Sequence, residues 1–372
     1  MPEQLQARQQ HLLTLTRSFV RERLAPLCDR HDGDTQTLRH AVVALARDTE
    51  LFGLTQPRAF GGSEAGVLDL TVVREALAAS GWAARRWVLG PGLGFLAAAT
   101  GPLAEKYLTP LLLGELRSAF AFTDARDAPA TTARRVDGGW LLDGIKSYVT
   151  GGADADCFGI TARLKAGEGS LFAVVDVDSP GLSVGEPFRS IDGSHHVALT
   201  LDGLFVADAA VLGEPGTGLP RAMKQIGDTR LAMAADACGL MQYVLEHLEQ
   251  HLLAPHRNGA PLGDREGVRL RYAELRINAF AARSMVYRTA RLADACENVV
   301  NEGMASKVFC TETLGNLVDV AIQLEGGQAL VAGHPLERLY REVRVLRLAE
   351  GASDLLRLNL AKGRFELGKG RI

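Results

Sequence analysis

The sequence predicts an α+β fold in which two helical segments flank a middle segment of β-strands. Before residue 118 and after residue 215, apolar residues recur at the spacing of amphipathic helices. Between these positions, short runs rich in β-branched and aromatic residues alternate with Asp-Gly turns. The 372 residues are 47% hydrophobic and 23% charged, which is typical of two or three packed globular units. We therefore predict an N-terminal helical domain over 1–117, a middle antiparallel β-domain over 118–215 and a C-terminal four-helix bundle over 216–372.

The N-terminal domain is predicted to contain helices separated by loops rich in Gly and Pro. Thr37–Thr49 and Val67–Ala79 are rich in Ala and Leu and mix apolar with charged positions. Gln56–Gly62, which lies between them, contains one proline and two glycines and predicts a loop. The longest uncharged stretch, Trp87–Ala104, contains four glycines and two prolines. Because a bilayer span tolerates so many helix breakers poorly, this stretch predicts helices of a soluble protein around a bend, not a membrane segment.

The middle domain is predicted to be a compact antiparallel sheet with tight turns. Small and polar residues interrupt the apolar runs at Asp137-Gly138-Gly139 and at Asp143-Gly144, and both positions predict turns. The predicted strands are Ala133–Val136, Trp140–Leu142, Ile145–Thr150, Phe172–Val175 and Val197–Leu201.

Helices are predicted again from Gly218 to the end of the chain. The Pro- and Gly-containing segment Pro255–Gly263 separates the first helix from the second, and the second and third helices are predicted over 264–297 and 303–326. Their apolar stripes at helical spacing are Met241, Leu245, Leu248 and Leu252 in the first helix and Leu270, Ala273, Ile277 and Phe280 in the second. The lengths and the patterning are typical of a helical bundle.

Charge and cysteine content argue against several functional classes. The net charge of -3 does not favour a nucleic-acid-binding protein, which normally has a basic face. The five cysteines are scattered without a CxxC pair, and the N-terminus lacks an apolar targeting region, so we expect a cytoplasmic protein. His195 and His196 are adjacent on a predicted strand and therefore point to opposite faces. We predict no metal site.

Eight short strings occur in an order and spacing that resemble the acyl-CoA dehydrogenase family, and the match covers almost the whole chain. The strings are Gly53–Pro57 with Phe60–Gly62, Glu105–Leu108 with Gly114-Glu115, Phe120–Asp124, Leu142–Thr150, Gly213–Gly218, Gln323–Gly327, Glu337–Arg341 and Glu350–Ser353. The resemblance implies an acyl-CoA dehydrogenase-like fold and a flavin oxidoreductase. It also implies FAD-dependent α,β-dehydrogenation of an acyl thioester, which is carried by CoA or by an acyl carrier protein.

In the family that the chain resembles, a base removes the α-proton of the thioester while the β-hydride passes to flavin N5. Glu350 stands at the position of that base. The chemistry needs a close and desolvated carboxylate, because an α-proton of a thioester is only weakly acidic. Arg230, Ala349 and Gly351 correspond to positions on the substrate side. Ala349 stands where relatives often carry Tyr, so it leaves more room beside the reacting carbons, and we expect Ala349→Tyr to reduce turnover on the native substrate.

The resemblance also assigns residues to FAD. The strand that contains Phe120, Phe122 and Thr123 would serve the pyrimidine edge of the flavin, and Thr150 would serve N5. Tyr148 takes the place of a Trp and could stack on the ring. The alternative for these residues is an ordinary role in strands, where Thr and Tyr are common.

A second group would contact the FAD of a neighbouring subunit, so the resemblance implies a homodimer or homotetramer. This group consists of Gln323, Gly326, Gly327 and Arg257. The alternative for the two glycines is a helix C-cap, since glycine often follows a helix. Arg338 and Arg341 are interpreted as structural ion pairs between helices.

Two loops depart from the family pattern at phosphate contacts. In 125–130, Ala128-Pro129 replaces the usual Gly-Ser, and a proline removes a backbone donor. In 255–259, the arginine is displaced and the phenylalanine is Asn258. These losses fit a divergent biosynthetic member with an unidentified electron acceptor. They leave open a flavin-dependent monooxygenase and a non-catalytic paralogue on the same fold.

Overall fold

The structure is a computed structural model that describes residues 4–31, 34–165, 167–256, 259–368 and 370. The chain forms two compact units. The helical unit comprises residues 1–54, 63–89 and 227–372, and the β unit comprises residues 55–62 and 90–226.

The helical unit begins with five helices that share an apolar core. They are α1 (Ala7–Phe19), α2 (Ala25–Arg30), α3 (Thr35–Arg47), α4 (Glu50–Gly53) and α5 (Val67–Ala78). The side chain of Asp34 accepts hydrogen bonds from the backbone N–H groups of Gln36 and Thr37 at 2.7 and 2.9 Å, so α3 begins at Thr35. Leu12, Val42 and Val73 are fully buried at the centre of the core.

The uncharged stretch Trp87–Ala104 forms short helical turns over most of its length, and a longer helix begins at Pro102. A 3₁₀-helix over Ala83–Trp87 ends at its start, and a second covers Gly94–Ala98. Before Pro102 the predicted helices are therefore only short 3₁₀ turns, because the glycines and prolines there interrupt a regular α-helix. None of the helices in the described part of the chain is long and apolar enough to cross a bilayer.

In the described residues, the β unit contains a short α-helix, an eight-stranded sheet and the first residues of a long helix that continues into the helical unit. The elements are α6 (Thr109–Leu112), β1 (Ser118–Ala121), β2 (Thr132–Val136), β3 (Gly139–Thr150), β4 (Cys157–Leu164), β5 (Ser170–Asp176), β6 (Leu182–Val184), β7 (Phe188–Arg189) and β8 (His195–Ala207). The strand order is β1-β4-β2-β3-β8-β6, with β5 paired to β4 and β7 paired to β8. The prediction of an antiparallel sheet needs a correction, because β4 runs parallel to both β1 and β2.

Strand β3 runs without a break through Asp143-Gly144, where the sequence predicts a turn. The register with β8 shifts between Leu142 and Gly144, so the Asp-Gly pair forms a β-bulge. Gly144 has φ +149°, and a Cβ there would lie 2.6 Å from the Cα of Thr131. Glycine is required here because another chain segment packs against its Cα hydrogen, not because the strand reverses.

The C-terminal part of the helical unit is a bundle of long helices. The helices are α7 (Gly218–Leu253), α8 (Glu266–Asp294), α9 (Val300–Glu325), α10 (Pro335–Leu346) and α11 (Ser353–Phe365). Buried residues of α7, α8, α9 and α10 form one apolar cluster, as a four-helix bundle requires. Met241 and Leu248 on α7 are fully buried in it.

The second predicted stripe has a different environment. Leu270, Ile277 and Phe280 on α8 are 61 to 69% exposed. The spacing is helical as predicted, but among the described residues these side chains pack against no core.

The predicted ion pairs of α10 also need correction. Arg341 pairs with Glu337 one turn earlier in the same helix at 2.7 Å. Arg338 donates to the backbone oxygen of Gly81 at 3.1 Å, and its Nε is buried without a partner among the described residues. Among the described residues, neither arginine has a partner for the ion pair between helices that the sequence suggested.

Candidate active site

Two of the predicted flavin segments lie side by side in the β unit. The chain beyond β1 pairs with β3, since the N–H of Ser147 donates to the oxygen of Thr123 and the N–H of Ala125 donates to the oxygen of Ile145, both at 2.9 Å. Thr123 and Thr150 are both exposed. The structure therefore brings Thr123 next to the end of β3, as the resemblance implies.

Tyr148 projects from the sheet because of a second irregularity in β3. The register with β8 shifts between Lys146 and Val149, and Tyr148 has φ +53°. Its side chain is 65% exposed, and its ring contacts Phe188 edge-on at a centroid distance of 5.3 Å. A left-handed tyrosine is uncommon and strained, and such strain is often found at ligand sites.

Thr150 is linked to His196 on the neighbouring strand. The Thr150 Oγ1 and the His196 Nδ1 are 3.1 Å apart, and the His196 Nε2 lies 2.9 Å from Ser190 Oγ. His196 is half-buried, whereas His195 beside it is exposed, as expected for neighbours on a strand. Ordered hydroxyl and imidazole groups thus stand at the end of β3.

Phe120 and Phe122 pack into an aromatic cluster with Phe95 and Phe172. The ring centroids of Phe120 and Phe172 are 5.5 Å apart, and those of Phe120 and Phe122 are 5.7 Å apart. Both phenylalanines are half-buried, so their side chains are held by this cluster.

A buried lysine fixes the segment that carries Thr123. Lys146 is 2% exposed and donates to the oxygen of Phe122 at 3.0 Å and to Asp124 Oδ1 at 2.8 Å. Burial lowers the pKa of Lys146, while the Asp124 carboxylate opposes that change. The same carboxylate accepts a hydrogen bond from Thr131 Oγ1 at 2.7 Å, so both ends of the altered 125–130 loop are anchored.

Glu350 lies in the helical unit, in the short connection between α10 and α11. It has φ +54° and Gly351 has φ +106°, so two successive residues lie in the left-handed half of the Ramachandran plot. A Cβ on Gly351 would lie 3.1 Å from Leu356 Cδ2 and 3.3 Å from Arg230 Nη2. The tight packing and the positive φ both explain the glycine. Ala349, immediately before the carboxylate, is exposed.

Two buried cations bind the backbone of this turn. Arg230 on α7 is 6% exposed, and its Nε donates to the Glu350 oxygen at 2.8 Å. Lys307 on α9 is fully buried, and its Nζ donates to the Gly351 oxygen at 2.8 Å. The structure thus joins the predicted base and the predicted substrate residue Arg230, and adds Lys307 to them.

The electrostatics of the turn suit a proton acceptor. Burial raises the pKa of the half-buried Glu350 carboxyl, and the charges of Arg230 and Lys307 oppose this rise. Burial lowers the pKa of Lys307 to about 8, and the nearby Arg230 charge adds to that effect. A carboxylate with a raised pKa is a stronger base than an exposed one.

The predicted loop for the neighbouring subunit's cofactor lies at the end of α9. Gln323 is exposed, and Gly326 caps the helix, with its N–H donating to the oxygen of Ile322 at 2.8 Å. The C-cap alternative therefore describes the backbone of Gly326. A Cβ built on Gly326 or on Gly327 would meet no atom of the described residues within 4 Å, so both glycines have open space beside them. Arg257, the fourth predicted member, lies outside the described residues.

A cluster of two histidines and a glutamate holds the turn at the end of α9. Glu325 Oε2 lies 2.9 Å from His247 Nε2, and Glu325 Oε1 lies 2.9 Å from His334 Nε2. The three groups are close enough to bind a metal ion. However, His334 Nδ1 accepts the backbone N–H of Leu336, so its Nε2 carries the proton and has no lone pair for a metal. The geometry therefore indicates hydrogen bonding.

Two segments of the sequence match models of one family. Residues 6–115 match the N-terminal domain of acyl-CoA dehydrogenase, and residues 216–364 match its C-terminal domain. Together the matches cover more than half of the chain. The chain belongs to the acyl-CoA dehydrogenase family.

Individual relatives agree with this membership. A 3-(aryl)acrylate reductase of Clostridium sporogenes is 28% identical over 93% of this chain and 96% of its own. An acyl-CoA dehydrogenase of Bacillus subtilis is 28% identical over 94% of this chain and 95% of its own. The solved FAD complex of PigA has a TM-score of 0.83 and 24% identity and covers 99% of both chains. The predicted fold class is confirmed, and the chain is an oxidoreductase.

Two groups, one in each unit, could hardly be predicted from the sequence. Lys307 is a single cation among apolar and small residues of α9, and that contrast was the available signal for a buried charge. For His196 the sequence suggests no role other than metal binding. Its partnership with Thr150 depends on the register of β3 against β8, which a shift in β3 alters.

Proposed function

We propose that this family member catalyses FAD-dependent α,β-dehydrogenation of an acyl thioester, with Glu350 as the base that removes the α-proton. One observation carries the proposal. The Glu350 carboxyl is half-buried with a raised pKa, in a turn whose two carbonyl groups are bound by Arg230 and Lys307. A base for a weakly acidic C–H bond needs this combination of desolvation and fixed position.

The chain's own groups account for the proton half of the reaction. The Glu350 carboxylate accepts the α-proton, and the Arg230 and Lys307 charges favour its ionised form against the effect of burial. Negative charge develops on the thioester oxygen as the proton leaves, and a backbone N–H donor near Glu350 would stabilise it. The exposed Ala349 leaves room for the acyl group. The acyl carrier is CoA or the phosphopantetheine arm of a carrier protein, and the test below includes both.

The residues in the β unit fit FAD. Thr123 and Thr150 offer exposed hydroxyl and backbone groups to a flat heterocycle, and Tyr148 offers an exposed aromatic face. When bound there, FAD supplies an acceptor for the β-hydride. The open space beside Gly326 and Gly327 suits the close approach of a phosphate to backbone N–H groups.

We also propose that the protein assembles as a homodimer or homotetramer. The exposed stripe Leu270, Ile277 and Phe280 on α8 supports an interface between copies, because side chains of this size are rarely left together in water. In such an assembly, Gln323 and the following glycines of one subunit would bind the FAD of another.

The test is anaerobic titration of the purified, FAD-loaded protein with a panel of thioesters, followed by visible absorbance. The panel contains saturated and 2,3-unsaturated acyl groups, aliphatic and aryl, on CoA and on a carrier protein. Aryl and unsaturated members are included because one relative is named a 3-(aryl)acrylate reductase. We expect a saturated thioester to bleach the flavin bands of the wild type, and Glu350→Gln to bind FAD but bleach at least about 10²-fold more slowly.

Each other outcome points to a different function. Stoichiometric FAD without bleaching by any thioester would exclude the proposed reaction. Oxygen consumption with a flavin reductase, unaffected by Glu350→Gln, would favour the flavin-dependent monooxygenase. Failure to bind FAD after reconstitution would favour a non-catalytic paralogue.

A further inference from the structure

We propose that Lys307 is a positioning residue for Glu350, whose ammonium group binds the Gly351 carbonyl and so fixes the left-handed turn that sets the direction of the Glu350 side chain. This inference rests on the proposed function in taking Glu350 as the base.

The turn needs support from outside its own segment. Glu350 is not a glycine, and its φ of +54° is unfavourable for a residue with a Cβ. Such a conformation persists only where surrounding contacts favour it over the ordinary ones. The contacts here are two donors on two successive carbonyls, from Arg230 on α7 and from Lys307 on α9.

Lys307 is unusual in being fully buried. Its burial removes a strongly hydrated ammonium group from water, which is costly unless its donors are satisfied. The charged groups that face it are Arg230 on α7, Glu312 on its own helix and the Glu350 carboxylate itself. The two glutamates offset the cost, while Arg230 adds to it. A plain apolar side chain would fill the same place in the bundle at lower cost, so the amine is best explained by what it binds.

The same amine acts on Glu350 in two ways. Its hydrogen bond to the Gly351 oxygen fixes the backbone one residue beyond Glu350. Its charge lowers the pKa of the Glu350 carboxyl against the effect of burial. Removing Lys307 should therefore loosen the turn and also move the ionisation of the base to higher pH.

The test compares Lys307→Met, which removes the charge and the donors, with Lys307→Arg, which keeps both. Lys106→Met serves as the control, since Lys106 is an exposed lysine of the β unit that pairs with Asp176. All variants are studied as full-length FAD-loaded protein. Three quantities are measured: hydrogen exchange of the 346–353 segment, the pH profile of kcat/KM, and the separate values of kcat and KM.

We expect Lys307→Met to exchange faster at Ala349 and Ser353, whose amides are hydrogen-bonded in the native turn. We also expect its kcat to fall at least tenfold with little change in KM. The acid limb of its pH profile should move to higher pH. Lys307→Arg should recover part of each effect, and Lys106→Met should match the wild type.

A purely structural lysine would give a different result. If Lys307→Met lowers only the melting temperature, with exchange in 346–353 and the pH profile both unchanged, the proposal is wrong. If the methionine variant does not fold, hydrogen exchange of the 346–353 segment in Lys307→Arg serves as the test of whether Lys307 fixes the turn. Failure of the proposed function is separable, because a wild type that no thioester bleaches would still reveal in its exchange pattern whether Lys307 fixes the turn.

Discussion

At the scale of single residues, Glu350 predicts a pH dependence of activity. The reaction needs the ionised carboxylate, so activity falls as the pH drops through the pKa of Glu350. Because burial raises that pKa, we expect the acid limb of kcat/KM to lie above the ordinary glutamate value of about 4.3. A profile with its acid limb at or below that value would contradict the desolvated environment. The measurement is kcat/KM between about pH 4 and pH 9 with an artificial electron acceptor, and the FAD content is checked at each pH.

The residues of the candidate site differ in how far the sequence could predict them. Glu350 could be found because a short string, Glu-Gly-Ala-Ser, surrounds it. The contact of Arg230 with the Glu350 oxygen could not be found, since the two residues are 120 positions apart and meet only when α7 packs in the bundle. The sequence placed Arg230 on the substrate side, and that role stays a prediction. Lys307 lies in none of the short strings that resemble the family, and only its burial in the structure points to a role.

At the scale of elements, the end of α9 offers a test between two roles for its glycines. Gly326 has φ +88° and ψ -164°, a region open almost only to glycine, so Gly326→Ala should destabilise the protein by roughly 1–3 kcal/mol. Gly327 is not left-handed and has open space beside it, so Gly327→Ala should leave the melting temperature unchanged or slightly higher. If Gly327 approaches a phosphate, the added methyl group should weaken FAD binding about tenfold, the effect of losing one charge-assisted hydrogen bond.

Calorimetry and FAD titration measure the two glycine variants separately. Unchanged FAD affinity in Gly327→Ala would leave only the C-cap role for this turn. The cluster of His247, Glu325 and His334 should keep the turn in place in both variants, because it joins α7 and the start of α10 to the last residue of α9.

The type of each element was easier to predict from the sequence than its pairing with other elements. Helical periodicity correctly identified the long helices, and strand patterning identified β2, β3, β5 and β8 of the eight described strands, since each depends on local patterning. The Asp143-Gly144 pair misled the prediction because a bulge and a turn use the same residue types, and only the pairing of β3 with β8 separates them. The parallel neighbours of β4 were also hidden, because strand direction depends on contacts between distant segments.

At the scale of the whole molecule, the exposed face of α8 predicts self-association. The sequence shows the stripe Leu270, Ala273, Ile277 and Phe280 at helical spacing but cannot say whether a core or another subunit covers it. In the structure Ile277 is 61% and Phe280 is 69% exposed, so the chain itself does not cover them. Burying apolar area stabilises an interface by about 25 cal/mol per Å², which makes this stripe a strong candidate for the contact.

We expect the double variant Ile277→Arg, Phe280→Arg to have a smaller mass than the wild type in size-exclusion chromatography with light scattering. Two buried arginines facing their own copies would oppose association by desolvation and like-charge repulsion. The control is Val184→Arg, at a 38% exposed position of β6 in the β unit, which should keep the wild-type mass. If subunits share the FAD site through Gln323 and the following glycines, the double variant should also lose FAD on dilution, while the control retains it. A double variant of unchanged mass would show that the interface lies elsewhere, and a smaller particle that keeps its FAD would show that each subunit binds the cofactor alone.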